Sequence, residues 1–220
     1  MPNETNRPGA APADRFFDGY AGDFDSIYGD GRGLFQRLLD RMFRRSMWLR
    51  YRRTIEGCRP IEGRAVLDIG CGPGHYGVTL AARGAGRVVL LDFAPQMLNL
   101  ARARAEAAGV AARCEFNEGS FEAYRPDARF DFSIVMGVMD YVREPEPFIS
   151  HVLKLTAGKA FFSFPEASGL LAAIRRKRYQ RRTPLFLYRR EGIEQLFNRV
   201  SPERFTIEKL ARDYFVEVRV

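Results

Sequence analysis

The amino-acid sequence predicts an α/β fold: a doubly wound, mostly parallel sheet with a C-terminal antiparallel hairpin and an N-terminal helical cap. Three observations predict it. Short apolar segments alternate with helical segments from residue 64 to residue 164, as in parallel sheets with right-handed crossovers. Two strand-like segments joined by a tight turn end the sequence, and strands connected so closely must pair antiparallel. Aromatic residues recur at helical spacing before the first strand.

The elements follow in order along the chain. We expect a disordered tail over 1–14, which is rich in Pro, Ala and Asn, a helical cap over 15–60 and the α/β core over 61–220. The predicted core helices are His75–Arg83, Pro95–Ala108, Glu144–Thr156 and Glu191–Val200. The predicted strands are Arg64–Ile69, Arg87–Asp92, Ala111–Asn117, Phe130–Met136, Lys159–Phe164, Phe205–Ala211 and Tyr214–Val220.

Composition excludes several classes of protein. No apolar run approaches the roughly 18 residues of a membrane span, and the first thirty residues lack an apolar signal-peptide core. The three cysteines are scattered, which argues against disulfide and thiolate zinc frameworks and favours a reducing cytoplasm. With two histidines in the chain, we expect no metal site.

A glycine-rich turn is the most informative segment. An apolar strand delivers Asp68, and Gly70, Gly72 and Gly74 follow before a helix begins. Glycine is needed where the backbone adopts a positive φ or lies directly against a ligand. The segment Gly72–Gly77 also fits the dinucleotide pattern G-x-G-x-x-G. However, an acid directly ahead of the turn suits a cationic ligand such as S-adenosylmethionine better than a pyrophosphate.

A second acid, Asp92, ends the next predicted strand. A carboxylate at this place can accept hydrogen bonds from the ribose hydroxyls of an adenosine ligand. The alternative is that Asp92 caps the helix that follows. Because dinucleotides and S-adenosylmethionine both carry a ribose, Asp92 does not distinguish the two cofactors.

At motif level the chain resembles the class I S-adenosylmethionine-dependent methyltransferases. The resemblance rests on VLDIGCGPG (66–74), VVLLDFAPQML (88–98), FDFSIVMGVMDYV (130–142) and LKLTAGKAFFSFP (153–165). It implies a seven-stranded sheet and S-adenosylmethionine as the cofactor. It further implies that Asp68 and the three glycines line the methionine part of the cofactor. On this resemblance, Asp92 binds the ribose and Phe93 lies by the adenine. Met136 and Gly137 would flank the reacting centre, and Tyr20 would belong to a lid.

One departure from the family pattern concerns the third strand. That motif usually ends in an acid that holds the adenine amino group, whereas Ser120 stands there in this chain. A serine can still form a hydrogen bond, and Phe121 can pack on the adenine. The alternative for both residues is an ordinary surface turn.

The sequence offers four candidates for a catalytic base and decides among none of them. Asp140, Tyr141, His75 and Glu166 are all predicted to lie at the carboxyl edge of the sheet. Each has an alternative: a turn cap for Asp140, core packing for Tyr141, cofactor contact for His75, and a favourable place at a helix N-terminus for Glu166. An oxygen nucleophile benefits from such a base, whereas an amine can react without one.

The substrate class is narrowed by exclusion and by charge. The Asn/Asp-Pro-Pro-aromatic tetrapeptide of DNA-amine and glutamine methyltransferases is absent after the fourth strand. Arginine is concentrated in residues 37–53 and 175–190, and the second stretch lies in an insert, 168–190, that we expect to cap the substrate side. The first hypothesis is that the substrate is a small anionic metabolite, and the chain has a slight resemblance to magnesium-protoporphyrin methyltransferases. RNA is the second, and an acidic lipid surface, a non-catalytic cofactor-binding protein and a nicotinamide-dependent reductase are further alternatives.

Overall fold

The computed structural model describes residues 34–167 and 185–220. These residues build one seven-stranded sheet with helices on both faces. The strands are β1 (Ala65–Ile69), β2 (Arg87–Asp92), β3 (Cys114–Glu118), β4 (Phe130–Val135), β5 (Thr156–Pro165), β6 (Arg204–Leu210) and β7 (Asp213–Arg219). The helices are α1 (Leu34–Gly57), α2 (His75–Ala82), α3 (Pro95–Ala107), α4 (Pro145–Leu155) and α5 (Arg190–Val200), with 3-10 turns at Ala111–Arg113 and Phe121–Ala123.

The order of strands in the sheet is β3-β2-β1-β4-β5-β7-β6. The first five strands run parallel, while β7 pairs antiparallel with both β5 and β6. The predicted fold class is therefore confirmed, including the terminal hairpin. The hairpin also inserts its second strand between β5 and β6, so that the last strand of the chain lies inside the sheet.

Alternate side chains of the central strands enter two separate cores. On β1, Val66 packs with α1, α2 and α3, while Leu67 and Ile69 face α4 and α5. The same alternation occurs on β2, where Val88 and Leu90 lie on the first face. A strand that is buried on both faces needs a continuous apolar run, which explains the lack of polar alternation in the sequences of these strands.

The predicted and observed elements differ mainly at their ends. The third strand was predicted from Ala111, but a 3-10 turn occupies residues 111–113, where the N–H of Arg113 donates to the carbonyl of Val110. Strand β5 starts at Thr156, directly after α4, and is therefore longer than predicted. Helix α1 lies within the predicted N-terminal cap. The predicted tail, the first part of that cap and most of the predicted insert fall in 1–33 and 168–184, outside the described residues.

Over 34–167 and 185–220, no helix combines the length and apolar character that crossing a membrane requires. Across the same residues, no three His, Cys, Asp or Glu side chains come together in a way that would hold a metal ion.

Candidate active site

The candidate site lies where the carboxyl ends of β1, β2 and β4 meet. The chain passes from β1 outward to β2 and β3, and then crosses back to β4 on the other side of β1. This reversal carries the connections after β1 and β4 to opposite sides, so that a crevice is expected at this edge beyond the contact of Val138 with Gly70. In open α/β sheets such a crevice is where ligands bind. The sequence-predicted glycine turn, Asp92 and Gly137 all lie at this edge.

The glycine turn after β1 adopts the left-handed backbone that its sequence predicts. The φ angles of Gly70, Gly72 and Gly74 are 62°, 52° and 78°. A Cβ at Gly70 would stand 2.5 Å from Cγ2 of Val138, and one at Gly74 would stand 2.9 Å from Cβ of Ala101. By contrast, a Cβ at Gly72 would have no atom within 4 Å among the described residues. The first and third glycines therefore permit close packing, while the second presents bare backbone to the crevice.

Asp92 holds this turn from the neighbouring strand. Its Oδ2 accepts a hydrogen bond from the N–H of Gly72 at 2.8 Å, and its Oδ1 accepts one from the N–H of Ala94 at 2.9 Å. The N-cap residue of α3 is Ala94, so the alternative in which Asp92 itself caps the helix is wrong. A carboxylate offers about four acceptor positions. The two bonds to backbone leave Asp92 able to accept from a ribose as well.

Asp68 lies behind the turn and is buried. Its Oδ2 accepts a 2.9 Å hydrogen bond from the N–H of Gly77, in the first turn of α2. Burial raises the pKa of Asp68 to about 7, the hydrogen bond from Gly77 opposes this rise, and the negative charge of Asp92 adds to it. A cationic ligand nearby would favour the ionised carboxylate. The structure thus shows Asp68 as a clamp on the turn, and its contact with a ligand stays a prediction.

The three residues predicted to surround the adenine have different environments. Phe93 is 80% exposed at the crevice, an unusual state for a large apolar ring. Ser120 is exposed in the turn after β3. Phe121 is only 5% exposed, because its ring stacks on His151 at a centroid distance of 4.5 Å and packs against Phe148 at 4.9 Å. Phe93 therefore has free ring surface for an adenine, and Phe121 has little.

The loop after β4 forms the other wall of the crevice. Gly137 has a φ of 77°, and its N–H donates to Oγ of Ser163 at 2.8 Å. Met136, just before it, is half-buried at the end of the strand. Asp140 is buried, while Tyr141 is 51% exposed. Two of the four candidate bases therefore stand in the loop after β4, three and four residues beyond Gly137.

The other two candidate bases have weaker claims to catalysis. Burial, with a smaller contribution from Arg104, lowers the pKa of His75 to about 3, so this imidazole is neutral and a poor proton acceptor at pH 7. Glu166, after β5, accepts a 2.7 Å hydrogen bond from Nζ of Lys209 and a longer one from Tyr214. A carboxylate held by a cation in this way is stabilised in its ionised form and is a weak base.

Sequence reasoning missed two residues near this loop, Ser163 and Arg50. Ser163 is a single hydroxyl within the apolar run of β5, a signal that could have marked it. Arg50 is one of seven arginines in residues 37–53, and nothing in the sequence distinguishes it from the others. Nη1 of Arg50 nevertheless lies 3.1 Å from Oγ of Ser163. Tyr20, the predicted lid residue, falls outside the described residues.

The fold defines an α/β protein of Rossmann-like architecture whose candidate site lies at the carboxyl edge of the sheet. Comparison with known proteins agrees, since a methyltransferase-domain family matches residues 66–157. A magnesium protoporphyrin IX methyltransferase from Synechocystis PCC 6803, solved with bound SAH, superposes with a TM-score of 0.70 at 20% sequence identity. The superposition covers 94% of this chain and 97% of that one, and at such identity it establishes the fold.

Curated relatives share more sequence over a shorter range. The ubiquinone biosynthesis O-methyltransferase of Paracidovorax citrulli is 34% identical over 113 residues, which are 50% of this chain and 47% of the relative. The tRNA U34 carboxymethyltransferase of Shewanella baltica is 33% identical over 111 residues, which are 50% and 32% of the two chains. The chain thus spans half or less of the length of these relatives. Residues 66–157 thus match a methyltransferase domain, and the fold is that of solved methyltransferases, including a magnesium protoporphyrin IX methyltransferase with bound SAH or SAM.

Proposed function

We propose that this protein transfers the methyl group of S-adenosylmethionine to an oxygen or nitrogen atom of a small anionic metabolite. The observation that carries the proposal is the crevice between the glycine turn and the loop after β4. Its features are the bare backbone of Gly72, the unused acceptor positions of Asp92 and the exposed ring of Phe93. Together they fit a ligand that has a ribose and an adenine.

The donor set also fits the charge of the cofactor. Asp68 and Asp92 bring two carboxyl groups to one edge, where a pyrophosphate would meet repulsion and an ammonium or sulfonium would be favoured. Asp92 would hold the ribose and Phe93 the adenine, while Gly72 and Gly137 would lie along the methionine part. When bound, the cofactor supplies an electrophilic methyl group on a positively charged sulfur. The protein needs only to align the acceptor with it and exclude water.

Asp140 and Tyr141 are the candidates that we retain for proton removal. Both follow Gly137, whereas His75 is a weak base and Glu166 is held by Lys209. The carbonyl of Asp140 accepts a 2.8 Å hydrogen bond from the N–H of Phe186. This bond fixes the loop beside the segment that leads into α5. Tyr141 is the more exposed of the two and therefore the more accessible to a substrate.

The anionic substrate is supported by the cations at this edge. Tyr188 donates a hydrogen bond to the carbonyl of Met139 at 3.2 Å, which holds the last residues of the predicted insert against the loop after β4. Exposed Arg143 and Arg189 belong to these two segments. Their guanidinium groups supply local positive charge beside the loop after β4, which would attract a carboxylate or phosphate of a substrate. The similarity to ubiquinone biosynthesis O-methyltransferases favours oxygen as the acceptor.

Two measurements test the proposal. Isothermal titration calorimetry compares S-adenosylhomocysteine (SAH), the product form of the cofactor, with NADH, and we expect binding of SAH alone. A donor labelled in its methyl group is then incubated with cell-extract fractions separated by charge. We expect label in an acidic fraction of low molecular mass. Binding of NADH without SAH would overturn the cofactor assignment, and label confined to neutral or cationic fractions would overturn the substrate class.

Methylation of RNA is the second candidate function, and one surface favours it. Helix α1 exposes Arg45, Arg52 and Arg53, and the guanidinium of Arg52 lies 4.8 Å from the ring centroid of Trp48. Cations beside an aromatic ring suit stacked bases and phosphates. RNA binding would release counterions, so the affinity for bulk tRNA would fall steeply with added salt. Absence of tRNA binding at low salt would exclude this function.

A further inference from the structure

A buried polar chain connects helix α1 to the loop after β4. Oγ of Ser163 accepts hydrogen bonds from the N–H of Gly137 at 2.8 Å and from Nη1 of Arg50 at 3.1 Å. The same Nη1 lies 3.6 Å from Oδ2 of Asp213, and this oxygen accepts a 2.6 Å hydrogen bond from the hydroxyl of Ser46. Ser163 and Asp213 are buried, and the Arg50 side chain is only 12% exposed. This series of polar contacts therefore ends at the backbone N–H of Gly137, in the wall of the crevice.

The bond from Gly137 to Ser163 fixes a peptide that would otherwise have freedom to turn. Strand β4 ends at Val135, and Gly137 then adopts a left-handed φ of 77° that glycine reaches without steric cost. Val135 pairs with Phe162 in the sheet, so Ser163 stands beside the first residues past the end of β4. Among the described residues, the Ser163 hydroxyl is the acceptor for the Gly137 N–H.

The orientation of this peptide matters on both sides of the crevice. Val138, the next residue, has its Cγ2 where a Cβ on Gly70 would collide with it. The loop after β4 therefore packs directly on the glycine turn, and a rotation at Gly137 would move one wall against the other. Because core packing responds to shifts of a few tenths of an ångström, loss of the anchor would alter the shape of the cofactor pocket.

An arginine is well suited to position 50 in this arrangement. Its planar guanidinium, held on a long side chain, places one nitrogen, Nη1, between the Ser163 hydroxyl and the Asp213 carboxylate. The buried Asp213 in turn supplies a negative charge that stabilises Arg50 in place. A hydroxyl has two acceptor positions, and Arg50 and Gly137 donate to both of those on Ser163. Arg50 thus restrains Ser163, and Ser163 restrains Gly137.

We infer that Arg50 and Ser163 are positioning residues of the methyl-transfer site, which hold the Gly137 peptide and hence the pocket wall without touching the reacting atoms. The inference rests on the proposed function for its consequence in cofactor binding. Its structural part concerns the Gly137 N–H alone and can be measured without any ligand.

The test begins with Ser163→Ala, which removes the hydroxyl that links Arg50 to the Gly137 N–H and leaves every charge in place. Hydrogen exchange of the Gly137 amide, followed by NMR, should accelerate at least tenfold. The dissociation constant of SAH, measured by calorimetry, should rise at least tenfold. Arg50→Lys keeps the charge but loses the planar guanidinium that places Nη1 between Ser163 and Asp213, so it should accelerate exchange of the same amide by at least threefold. It also tests the inference independently if Ser163→Ala fails to fold.

The matched control is Ser133→Ala. Ser133 is a buried hydroxyl on β4, and its Oγ lies 2.7 Å from Oγ1 of Thr156 at the start of β5, away from the crevice. We expect a comparable loss of thermal stability, with SAH affinity and Gly137 exchange within twofold of the parent protein. Unchanged Gly137 exchange in both Ser163→Ala and Arg50→Lys would overturn the inference, as would an equal loss of SAH affinity in Ser133→Ala. Failure of the parent protein to bind SAH would instead contradict the proposed function.

Discussion

Replacing Asp92 by Asn tests two roles of this carboxylate: it holds the glycine turn, and it is proposed to bind the ribose. The carboxylate accepts from the N–H of Gly72 and from that of Ala94, one on each oxygen. An asparagine amide has a single acceptor oxygen, so one of the two N–H groups loses its partner. An unsatisfied buried donor costs about 1–3 kcal/mol, and we expect Asp92→Asn to lower the free energy of unfolding by roughly that amount.

Asp92→Asn should also weaken the binding of the cofactor. A hydrogen bond between a ribose hydroxyl and a charged acceptor contributes about 1.5–3 kcal/mol. Since 1.4 kcal/mol corresponds to a factor of ten, loss of one such bond should raise the dissociation constant of SAH about 10- to 150-fold. Calorimetric titration measures the affinity, and urea unfolding of the same samples measures the stability.

The control for this substitution is Asp131→Asn. Asp131 lies at the opposite edge of the sheet, where it accepts from the N–H of Ala65 at 2.8 Å and from Arg64 at 3.0 Å. It should lose stability by a similar mechanism, while its SAH affinity stays within twofold. If Asp92→Asn binds SAH as tightly as the parent protein, or if Asp131→Asn binds it as weakly, the ribose assignment is refuted.

Four further predictions follow from the same geometry. Gly72→Ala should lower the free energy of unfolding by about 1–2 kcal/mol because its backbone is left-handed, and the protein should still fold. Gly74→Ala should lower it by about 1–3 kcal/mol more, because its Cβ meets packed side chains. Thermal denaturation ranks the two variants, and equal losses of stability would contradict the packing. Because burial raises the pKa of Asp68 to about 7 from 3.8, the native state retains a proton that the unfolded chain releases, so its contribution to stability falls as pH rises from about 4 to about 7. Urea unfolding across this range should show a slope that Asp68→Asn removes, and an unchanged slope would contradict it. The pH dependence of stability that His75 causes has the opposite sign. Its pKa is lowered to about 3 from 6.5, so stability is lost as the pH falls through that interval. The pH series for His75→Gln should lack this loss. Tyr141→Phe should slow methyl transfer about 10²- to 10⁴-fold if the phenol is the base, with SAH affinity unchanged; full activity in single-turnover assays would exclude it.

The sequence predicted those features that depend on local pattern. The β1 and β2 strands are short apolar runs with an acid as the last residue but one of β1 and as the last residue of β2, and these runs determine both the strands and the edge at which Asp68 and Asp92 appear. Positive φ at Gly70, Gly72 and Gly74 follows from their being glycines in a tight turn. Periodicity and turn chemistry suffice for such features, because each involves residues that are neighbours in the chain.

Other features depend on contacts between distant segments. Arg50 and Ser163 are 113 residues apart, and no pattern in either segment shows that they meet. Phe121 was an ambiguous case, since an apolar ring after a strand can equally face a ligand or a core. Helix α4 decides it by covering the ring with Phe148 and His151. The buried state of Asp68 likewise arises from packing of α2 over β1, which a sequence pattern does not describe.

The two acids of the site bear on how any loss of binding should be understood. Asp68 and Asp92 each accept a hydrogen bond from a backbone N–H in the segment 70–77, one from behind the turn and one from its side. Removing either carboxylate therefore disturbs the turn as well as any contact with a ligand. Alanine variants alone cannot separate the two effects. A drop in affinity can be assigned to the ligand contact where a control variant with a similar loss of stability, such as Asp131→Asn, keeps its affinity, and for this reason affinity and unfolding must be measured together on each variant.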